Sequence, residues 1–224
     1  MSHITLIIPA KSERESLPIF LRELEHLNFK KIIILEKTDK DTINSIKKDE
    51  NLEILFQHTK GYGAAIKEGI NKVKTKYFCI INADGSMNPK YIDQMFDKLL
   101  NEDLDFLFAS RYELGGGSED DSLLTKFGNF FFSSIGRVFF NLAITDILFT
   151  YVLGKTKHFN DIKIKSNDFT LCVEFPIKLN RQGYKLGSMP SFERKRIGGK
   201  KKVNEFKDGF LILIKMIKMY FNYE

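Results

Sequence analysis

Residues 80–89 read Ile80-Ile81-Asn82-Ala83-Asp84-Gly85-Ser86-Met87-Asn88-Pro89, and they mark the point where a strand ends and a loop begins. The apolar run before the loop, residues 77–81, is typical of a buried strand. Asp84 follows in a loop of Gly, Ser and Asn residues, and Pro89 favours the start of a new helix. Open α/β sheets bind ligands at the carboxyl ends of their strands. We therefore expect Asp84 at a binding site, although an Asp in such a turn is also a common helix cap.

The residues on either side alternate between strand and helix patterns. Further apolar runs predict strands at residues 4–8, 31–36, 52–56 and 105–109. Apolar residues at helical spacing predict helices at 17–27, 64–73 and 91–100, with a short polar helix at 42–48. Repeated units of this length predict a single α/β domain with a mostly parallel, doubly wound sheet and helices on both faces.

The second half of the chain is less regular. Residues 114–121 are glycine-rich and acidic, which predicts a mobile surface loop. Residues 127–149 hold seven of the 21 phenylalanines and fit either a helical pair that covers the sheet or a half-exposed apolar face that meets a lipid. A helix is predicted at 173–179, a strand at 184–189 and a last helix from residue 203 onwards.

Composition restricts the class of protein. The chain has 224 residues, 43% hydrophobic and 29% charged, as expected of one soluble globular domain. Two cysteines in apolar surroundings are typical of reduced core residues and fit a cytoplasmic setting; neither a signal peptide nor a membrane span is predicted. The net charge of +6 is concentrated near the end, in Lys195, Arg196, Lys200, Lys201, Lys202, Lys207, Lys215 and Lys218. Without a nucleic-acid-binding motif, this tail favours anionic lipid head groups or a pyrophosphate over nucleic acid.

Two other segments have the composition of a nucleotide site. Residues 7–13, Ile-Ile-Pro-Ala-Lys-Ser-Glu, leave the first strand, and Glu13 either meets the ligand or caps the next helix. Residues 60–65, Lys-Gly-Tyr-Gly-Ala-Ala, put Gly61 and Gly63 at a helix start, where a backbone can approach a ligand closely. The spacing differs from that of a dinucleotide fingerprint. Oxygen ligands around Asp84 suit Mg²⁺ or Mn²⁺ that bridges a nucleotide diphosphate.

In order and spacing these segments resemble the inverting family-two glycosyltransferases with the GT-A fold, especially the dolichyl- and polyprenyl-phosphate sugar transferases. The matching segments are Ile8–Glu13 for Ile-Pro-Ala-x-x-Glu, Gly61–Ala65 for Gly-x-Gly-x-Ala, Asn82–Asp84 for the metal-binding Asp-x-Asp, Ser110-Arg111, Thr145-Asp146, Tyr151, Glu174, and Arg196–Asn204 for the basic Arg-x-Gly-Gly-x-Ser-Lys-Val-Asn loop.

The resemblance implies one domain with three parts: a nucleotide-sugar-binding half at residues 1–112, an acceptor half at 113–202 and a basic amphipathic helix at 203–224. It implies donor contacts from Pro9, Ala10, Glu13, Glu36, Gly61, Gly63, Asn82, Ala83, Asp84, Arg196 and Lys202. Asp84 and Asn82 would hold a divalent metal, Mg²⁺ or Mn²⁺. Catalysis would involve Asp84, Arg111, Asp146 and Glu174.

Three departures from the family pattern bear on activity. Asn82 replaces the first acid of the metal-binding pair, which weakens metal binding unless the sugar nucleotide supplies ligands. Glu36-Lys37 stands where the family usually has paired aspartates that grip the base and ribose, and Lys201 stands where it has serine.

The expected activity is transfer of one sugar from a nucleotide-diphosphate sugar to polyprenyl phosphate, at the cytoplasmic face of a membrane. An ionised lipid phosphate needs no strong base, whereas a lipid or glycan hydroxyl would need one, and Glu174 and Asp146 are the candidates. Either carboxylate could instead be structural, paired with an arginine. A catalytically weakened nucleotide-sugar-binding subunit is the third alternative.

The last helix bears on the choice of acceptor. Its apolar face is formed by Phe206, Phe210, Leu213, Ile214 and Ile217, with Lys207, Lys215 and Lys218 beside it. Such a helix either lies in the membrane interface or packs on the sheet.

Overall fold

The computed structural model describes residues 3–47 and 49–223. In chain order the elements are β1 (Ile4–Pro9), α1 (Leu17–Glu23), β2 (Lys30–Leu35), α2 (Lys40–Ser45), β3 (Leu52–Phe56), α3 (Tyr62–Ile70), β4 (Tyr77–Ile80), α4 (Tyr91–Asn101), β5 (Phe106–Ser110), β6 (Gly117–Ser118), α5 (Leu123–Phe140), β7 (Val152–Lys155), α6 (Thr156–Asn160), α7 (Leu171–Arg181), β8 (Leu186–Pro190), β9 (Phe192–Glu193) and α8 (Glu205–Tyr220).

The main sheet is mostly parallel. Within the described residues it has seven strands in the order β3-β2-β1-β4-β7-β5-β8, and only β7 runs antiparallel to its neighbours. The chain moves outward from β1 to β3 and then crosses back to place β4 on the other side of β1. At such a switch point the loops after the two central strands diverge and leave a crevice for a ligand. Asp84 follows β4, so it lies at this crevice.

Alternate side chains of each central strand enter the cores on opposite faces of the sheet. In β1, Ile7 belongs to one buried cluster, whereas Leu6 and Ile8 belong to the other. The first cluster also takes in residues of α3, α5, α7 and α8, and the second those of α1 and α4. The prediction of a doubly wound sheet with helices on both faces is therefore confirmed.

Predicted strands β1 to β5 lie within one residue of the observed ones, and β8 lies within two. The predicted helices at 17–27, 64–73, 91–100 and 173–179 correspond to α1, α3, α4 and α7. The polar helix predicted at 42–48 is α2, whose observed bounds are Lys40–Ser45; Lys48 lies outside the described residues.

The helical pair predicted at 127–149 is wrong. One helix, α5, ends at Phe140 because Asn141 adopts a left-handed conformation (φ 51°) that stops it. The chain then continues without regular structure before β7, and it buries Ile144, Ile147 and Phe149. These residues cover the sheet, as the pattern indicated, but they do so from an irregular segment that leads into a strand.

Gly154 provides a test of the packing around β7. A Cβ atom on Gly154 would lie 2.3 Å from Phe106 Cδ1 and 3.2 Å from Phe78 Cζ. Both rings are fully buried, so Gly154→Ala is expected to destabilise the protein by about 1–3 kcal/mol. Urea denaturation measures the change.

The matched control is Gly128→Ala on α5, where an added Cβ has no neighbour within 4 Å. There the loss of a flexible helical glycine is expected to leave stability unchanged or raise it by about 0.5–1 kcal/mol. Equal urea midpoints for Gly154→Ala and the wild type would contradict the packing described for β7.

Candidate functional site

A cavity of about 880 Å³ opens at the carboxyl ends of β1 to β5, between α5, α8 and the amino end of α7. This size is typical of pockets for small molecules and cofactors. Of the predicted site residues, those that line it are Pro9, Ala10, Glu13, Glu36, Gly61, Asn82, Ala83, Asp84, Arg111, Arg196 and Lys202. Gly63, Asp146 and Glu174 are not among the described residues that line it.

The loop after β4 positions Asp84 through short local contacts. Its Oδ1 accepts hydrogen bonds from the Ser86 amide and hydroxyl groups, at 3.1 and 2.9 Å. Gly85 (φ 74°) turns the chain beneath Ile197, whose backbone N–H donates to the Asp84 carbonyl oxygen at 2.9 Å. These bonds fix one side of the carboxylate and leave Oδ2 directed at the Arg196 guanidinium, 3.7 Å away.

The donor atoms near Asp84 fit a cation that is shared with a substrate phosphate. Asn82 Oδ1 accepts from the Tyr62 hydroxyl at 2.9 Å, so one carboxylate and one partly engaged amide oxygen are the candidate ligands. Across the described part of the chain, no three His, Cys, Asp or Glu side chains form a metal-ligating group. Mg²⁺ commonly binds through one or two carboxylates plus substrate phosphates and retains water. The residues therefore suit a metal that arrives with a diphosphate better than a permanent metal centre.

Arg196 lies between two carboxylates. Its Nη2 is 2.9 Å from Asp120 Oδ2 as well as 3.7 Å from Asp84 Oδ2. Asp120 belongs to the segment at 114–121 that the sequence predicted to be a mobile surface loop. In the structure this segment contributes β6, and its acidic end lines the cavity. The acidic run of residues 119–121, which follows Ser110-Arg111 closely, was the sequence feature that indicated Asp120.

Arg111, which the resemblance implies is a catalytic residue, is held by protein carboxylates. Its Nε and Nη2 donate to the two oxygens of Asp146 at 2.7 and 3.0 Å, and its Nη1 donates to Asp121 and Glu193, each at 3.1 Å. Asp146 is buried in this pair. An ion pair that is this buried is a structural element, because breaking it leaves an uncompensated charge in the protein interior.

Glu174 is also structural, and the prediction that it acts as a base is not supported. It is fully buried, and its two oxygens accept from the backbone N–H groups of Lys165 and Ser166 at 2.8 and 2.7 Å. Lys178 and Lys215 lie 2.7 and 3.2 Å from it. Burial alone would raise the pKa of Glu174, but the hydrogen bonds from Lys165, Lys178 and Ser166 lower it to about 2. A carboxyl with so low a pKa is a poor proton acceptor.

The two glycines at the start of α3 serve close packing of the chain. A Cβ on Gly61 (φ 119°) would lie 2.1 Å from the Asn167 carbonyl oxygen, and one on Gly63 would lie 2.7 Å from that of Asp168. The predicted backbone approach is therefore made by residues 166–168 of the protein itself. Gly61 also lines the cavity, whereas Gly63 faces this protein contact.

Glu13 and Glu36 occupy opposite sides of the carboxyl end of β1. The Glu13 carboxylate accepts from the Ser16 hydroxyl at 2.5 Å and pairs with Lys202 at 3.2 Å. Burial raises its pKa, although Ser16 and Lys202 act against the rise. Glu36 is half-buried and lies 3.4 Å from the Lys11 ammonium group. Glu36 therefore keeps some access to the cavity, whereas Glu13 is buried and engaged by Ser16 and Lys202.

The chain matches the model of one protein family over most of its length. The family model described as Glycosyl transferase family 2 matches residues 5–163, well over half of the chain. The protein belongs to glycosyl transferase family 2. It is therefore a glycosyltransferase, as the resemblance implied.

Relatives of the glycosyltransferase occur in Methanocaldococcus jannaschii. An uncharacterized protein of that organism is 26% identical over 197 residues, which cover 84% of this chain and 79% of the relative. An uncharacterized glycosyltransferase is 29% identical over 215 residues, which cover 91% of this chain and 66% of the relative.

Solved structures confirm the GT-A fold. Glucosyl-3-phosphoglycerate synthase from Mycobacterium tuberculosis, solved with Mn²⁺, UDP and phosphoglyceric acid, aligns with a TM-score of 0.71 at 11% identity, over 97% of this chain and 78% of that chain. Mannosyl-3-phosphoglycerate synthase from Rubrobacter xylanophilus aligns with a TM-score of 0.72 at 13% identity, over 98% and 74%. At these identities the likeness establishes the fold alone.

One wall of the glycosyltransferase cavity is apolar. Helices α5 and α8 form it, with Leu124, Phe127, Phe132, Phe206 and Ile212. The two helices run side by side in the same direction: Thr125 donates to Glu205 at 2.8 Å near their starts, and the Phe139 and Tyr220 rings are 5.6 Å apart near their ends. No helix among residues 3–47 and 49–223 combines the length and hydropathy needed to cross a membrane.

Sequence reasoning missed two further polar groups of the cavity. Tyr62, stacked on Phe169 with ring centroids 5.0 Å apart, bonds through its hydroxyl to Asn82 and Thr150. Asp168 is an exposed carboxylate that lines the cavity and accepts from the Thr170 amide at 2.9 Å. Tyr62 stands at a variable position of the Gly61–Ala65 motif and Asp168 stands in no motif, and their neighbours in the cavity come from distant parts of the chain.

The low pKa of Glu174 has a measurable consequence for stability. Its folded pKa of about 2 lies below the ordinary value of 4.5, so the ionised form stabilises the fold above pH 4.5, and this contribution is lost as the pH falls toward 2. Glu174→Gln is expected to lower the free energy of unfolding at neutral pH by about 3 kcal/mol. The difference from wild type should shrink as the pH is lowered, as measured by urea denaturation across that range.

Glu53→Gln, at an exposed position of β3, is the matched control and should change little. A Glu174→Gln protein as stable as the wild type but inactive in sugar transfer would return Glu174 to the role of a catalytic base.

Proposed function

We propose that this glycosyltransferase moves one sugar, with inversion at the anomeric carbon, from a nucleotide-diphosphate sugar to polyprenyl phosphate. The observation that carries the proposal is the continuity of one cavity: its polar end lies at the carboxyl ends of the strands, and its apolar wall runs out onto exposed faces of α5 and α8. The polar end suits the diphosphate of the donor, and the apolar wall suits the chain of a lipid phosphate. In this proposal residues 1–112 form the donor half and residues 113–202 the acceptor half, followed by the basic amphipathic helix of residues 203–224.

The donor would be held by groups from several strand ends. Pro9, Ala10 and Glu36 line the part of the cavity suited to the base and ribose. Arg196 and Lys202 would donate to phosphate oxygens. Asp84, with Asn82, would hold a divalent cation, which when bound supplies positive charge to the leaving diphosphate.

The acceptor would be bound with its polyprenyl chain against α5 and α8. Phe127 and Phe206 line the cavity and are 69% and 78% exposed, and Phe130 and Phe210 extend the apolar surface outward. We call the exposed residues Phe127, Phe130, Phe131 and Val138 of α5, with Phe206, Phe210 and Ile217 of α8, the paired-helix face. An apolar surface of this kind with cations beside it suits the interface of a membrane that contains anionic lipids.

The last helix packs on the protein with one face and leaves another face exposed, which in this proposal meets the membrane interface. It packs on the protein through Ile212, Met216 and Met219 and leaves Phe206, Phe210 and Ile217 exposed. Lys215 differs from the expectation, since it is half-buried and pairs with buried Glu174 at 3.2 Å. Lys207 and Lys218 are exposed, so these two are the cations available to a lipid head group.

Transfer would proceed by in-line displacement. An oxygen of the lipid phosphate attacks the anomeric carbon while the bond from that carbon to the nucleoside diphosphate breaks, and the electron pair leaves with the diphosphate. The lipid phosphate is already ionised, so no residue needs to remove a proton. Burial of Asp146 and Glu174 in ion pairs supports an acceptor of this type.

A hydroxyl acceptor is the rival, and one observation favours it. Asp168 lines the cavity and is exposed, so it could accept a proton from a lipid or glycan hydroxyl. Release of UDP or GDP from sugar nucleotides, measured with Mn²⁺ and with polyprenyl phosphate, 3-phosphoglycerate or a glycan, separates the two. Release that depends on polyprenyl phosphate supports the proposal, and release that depends only on another acceptor refutes it. Donor binding without release under all conditions would favour a weakened binding subunit.

Asp84→Ala is expected to abolish the part of donor binding that depends on metal. Asp84 is the acidic residue among residues 82–89, so no neighbour in the loop can replace its carboxylate. Its loss should weaken Mn²⁺-dependent binding of UDP or GDP at least about tenfold. Isothermal titration calorimetry with Mn²⁺ and with EDTA measures this.

Asp97→Ala, at an exposed position of α4, is the control and should bind as the wild type does. Asn82→Asp restores the acid found in the family and is expected to strengthen the Mn²⁺ dependence. Metal-stimulated affinity that survives in Asp84→Ala would refute the assignment of this carboxylate.

Membrane contact is tested by two double variants and their controls. Lys207→Glu with Lys218→Glu should reduce binding to anionic vesicles at least tenfold, since each lysine near the surface contributes about 1 kcal/mol. Phe206→Ser with Phe210→Ser should reduce binding to vesicles with and without anionic lipid. Sedimentation with phosphatidylglycerol–phosphatidylcholine vesicles measures both.

The charge control is Lys72→Glu with Lys74→Glu; both lysines are exposed in the loop before β4, at the amino ends of the strands and away from the cavity. The apolar control is Phe56→Ser on β3. If all four proteins sediment alike, the paired-helix face does not meet a membrane.

A further inference from the structure

The Arg196 guanidinium, which the proposed function directs at substrate phosphates, is already engaged by a protein carboxylate. Two nitrogens of Arg196, Nη2 and Nε, face two oxygens of Asp120 at 2.9 and 3.4 Å. This two-point arrangement is the one that arginine also forms with phosphate. Both side chains line the cavity and keep about a fifth of their surface exposed, 19% each.

The position of Asp120 is built by the chain around it. The Ser118 hydroxyl accepts from the backbone N–H groups of Asp120 and Asp121, both at 3.1 Å, and donates to Glu193 at 2.6 Å. The backbone N–H of Glu119 donates to the Glu193 carbonyl oxygen at 3.0 Å. These bonds fix residues 118–121 against β9, so the carboxylate of Asp120 is presented to Arg196 by a defined turn.

The charge balance at the polar end makes this contact consequential. The two cations that the proposed function assigns to phosphates are both paired, Arg196 with Asp120 and Lys202 with Glu13. Asp84 adds a further negative charge 3.7 Å from Arg196. A substrate phosphate that approaches Arg196 therefore meets repulsion from Asp120 and Asp84 unless Asp120 moves away.

The pair at Arg196 can exchange its partner more easily than the network around Arg111 can. Arg111 makes bonds to three carboxylates and is 7% exposed, so replacing its partners would break a buried network. The Arg196–Asp120 pair is partly exposed and faces open cavity, and exposed pairs of this kind contribute little to stability. A diphosphate, with more charge than one carboxylate, is a stronger partner for the same guanidinium.

We propose that Asp120 is a specificity-determining residue that occupies, on Arg196, the position taken by a phosphate of the substrate, and that it leaves this position when the substrate binds. The proposal rests on the proposed function in that it requires a phosphate-bearing ligand in this cavity. Asp120 thus holds Arg196 in place in the empty enzyme and lowers the affinity for anions by competing with them.

The test is an affinity measurement in which competition and a merely structural role have opposite signs. Asp120→Asn keeps the shape of the side chain and removes its charge, so binding of pyrophosphate, UDP and GDP is expected to become about fivefold tighter. Asp120→Glu retains the charge and should bind as the wild type does. Isothermal titration calorimetry of the full chain with Mn²⁺ present gives the dissociation constants.

Glu119→Gln is the matched control, since the Glu119 carboxylate accepts only from the Lys195 backbone N–H at 3.3 Å and lies outside the cavity-lining residues described. It should leave every dissociation constant unchanged. Thermal unfolding without ligand should show Asp120→Asn equal to or less stable than the wild type, so that the tighter binding does not arise from a more stable protein.

Equal or weaker binding of all three probes by Asp120→Asn, with normal binding by the wild type, overturns the competition and leaves the proposed function intact. Binding by Asp120→Asn alone would support it strongly. If no protein, wild type included, binds any probe, then the proposed function fails and this inference fails with it.

Discussion

The cavity depends on two backbone hydrogen bonds between the loop that carries Asp84 and the segment after β9. The Ile197 N–H donates to the Asp84 carbonyl oxygen, and the Arg194 N–H donates to that of Ser86, each at 2.9 Å. Gly85 leaves room for the Ile197 side chain above it. Through these bonds, residues more than a hundred positions apart become neighbours. Without these bonds Arg196 would not face Asp84, and the polar end of the cavity would lack the Arg196 guanidinium.

Burial divides the charged groups of this region into two kinds. Arg111, with Asp146 and Glu193, and Glu174, with Lys178 and Lys215, are enclosed and tie the loops around the cavity to the helices behind it. Arg196 and Lys202 keep access to the cavity. Desolvated pairs are strongly destabilising to break, whereas partly exposed pairs exchange partners at little expense in free energy. The same kinds of residue therefore serve structure in one place and ligand binding in the other.

The helices α5 and α8 connect this polar region with an apolar surface. Each helix buries one face, through Phe132 and Phe140 in α5 and through Ile212 and Met216 in α8. Each also exposes phenylalanines on its other side. Both helices start at the cavity and run in parallel, and Phe127 and Phe206 both line the cavity and are exposed to solvent. This arrangement suits a substrate with a charged head and a long apolar chain.

The sequence by itself determined the doubly wound fold, because buried parallel strands and amphipathic helices leave strong local periodicities, and it located Asp84, Arg196 and the strand-end residues that meet at the cavity. It could not determine the course of residues 141–151, whose apolar side chains pack from an irregular segment that has no periodicity of its own. Nor could it distinguish Glu174 and Asp146, held in buried ion pairs, from carboxylates free to react. Only the tertiary structure decided that Asp120 faces Arg196, since a charge acquires its partner, and hence its function, from residues that the fold brings near it.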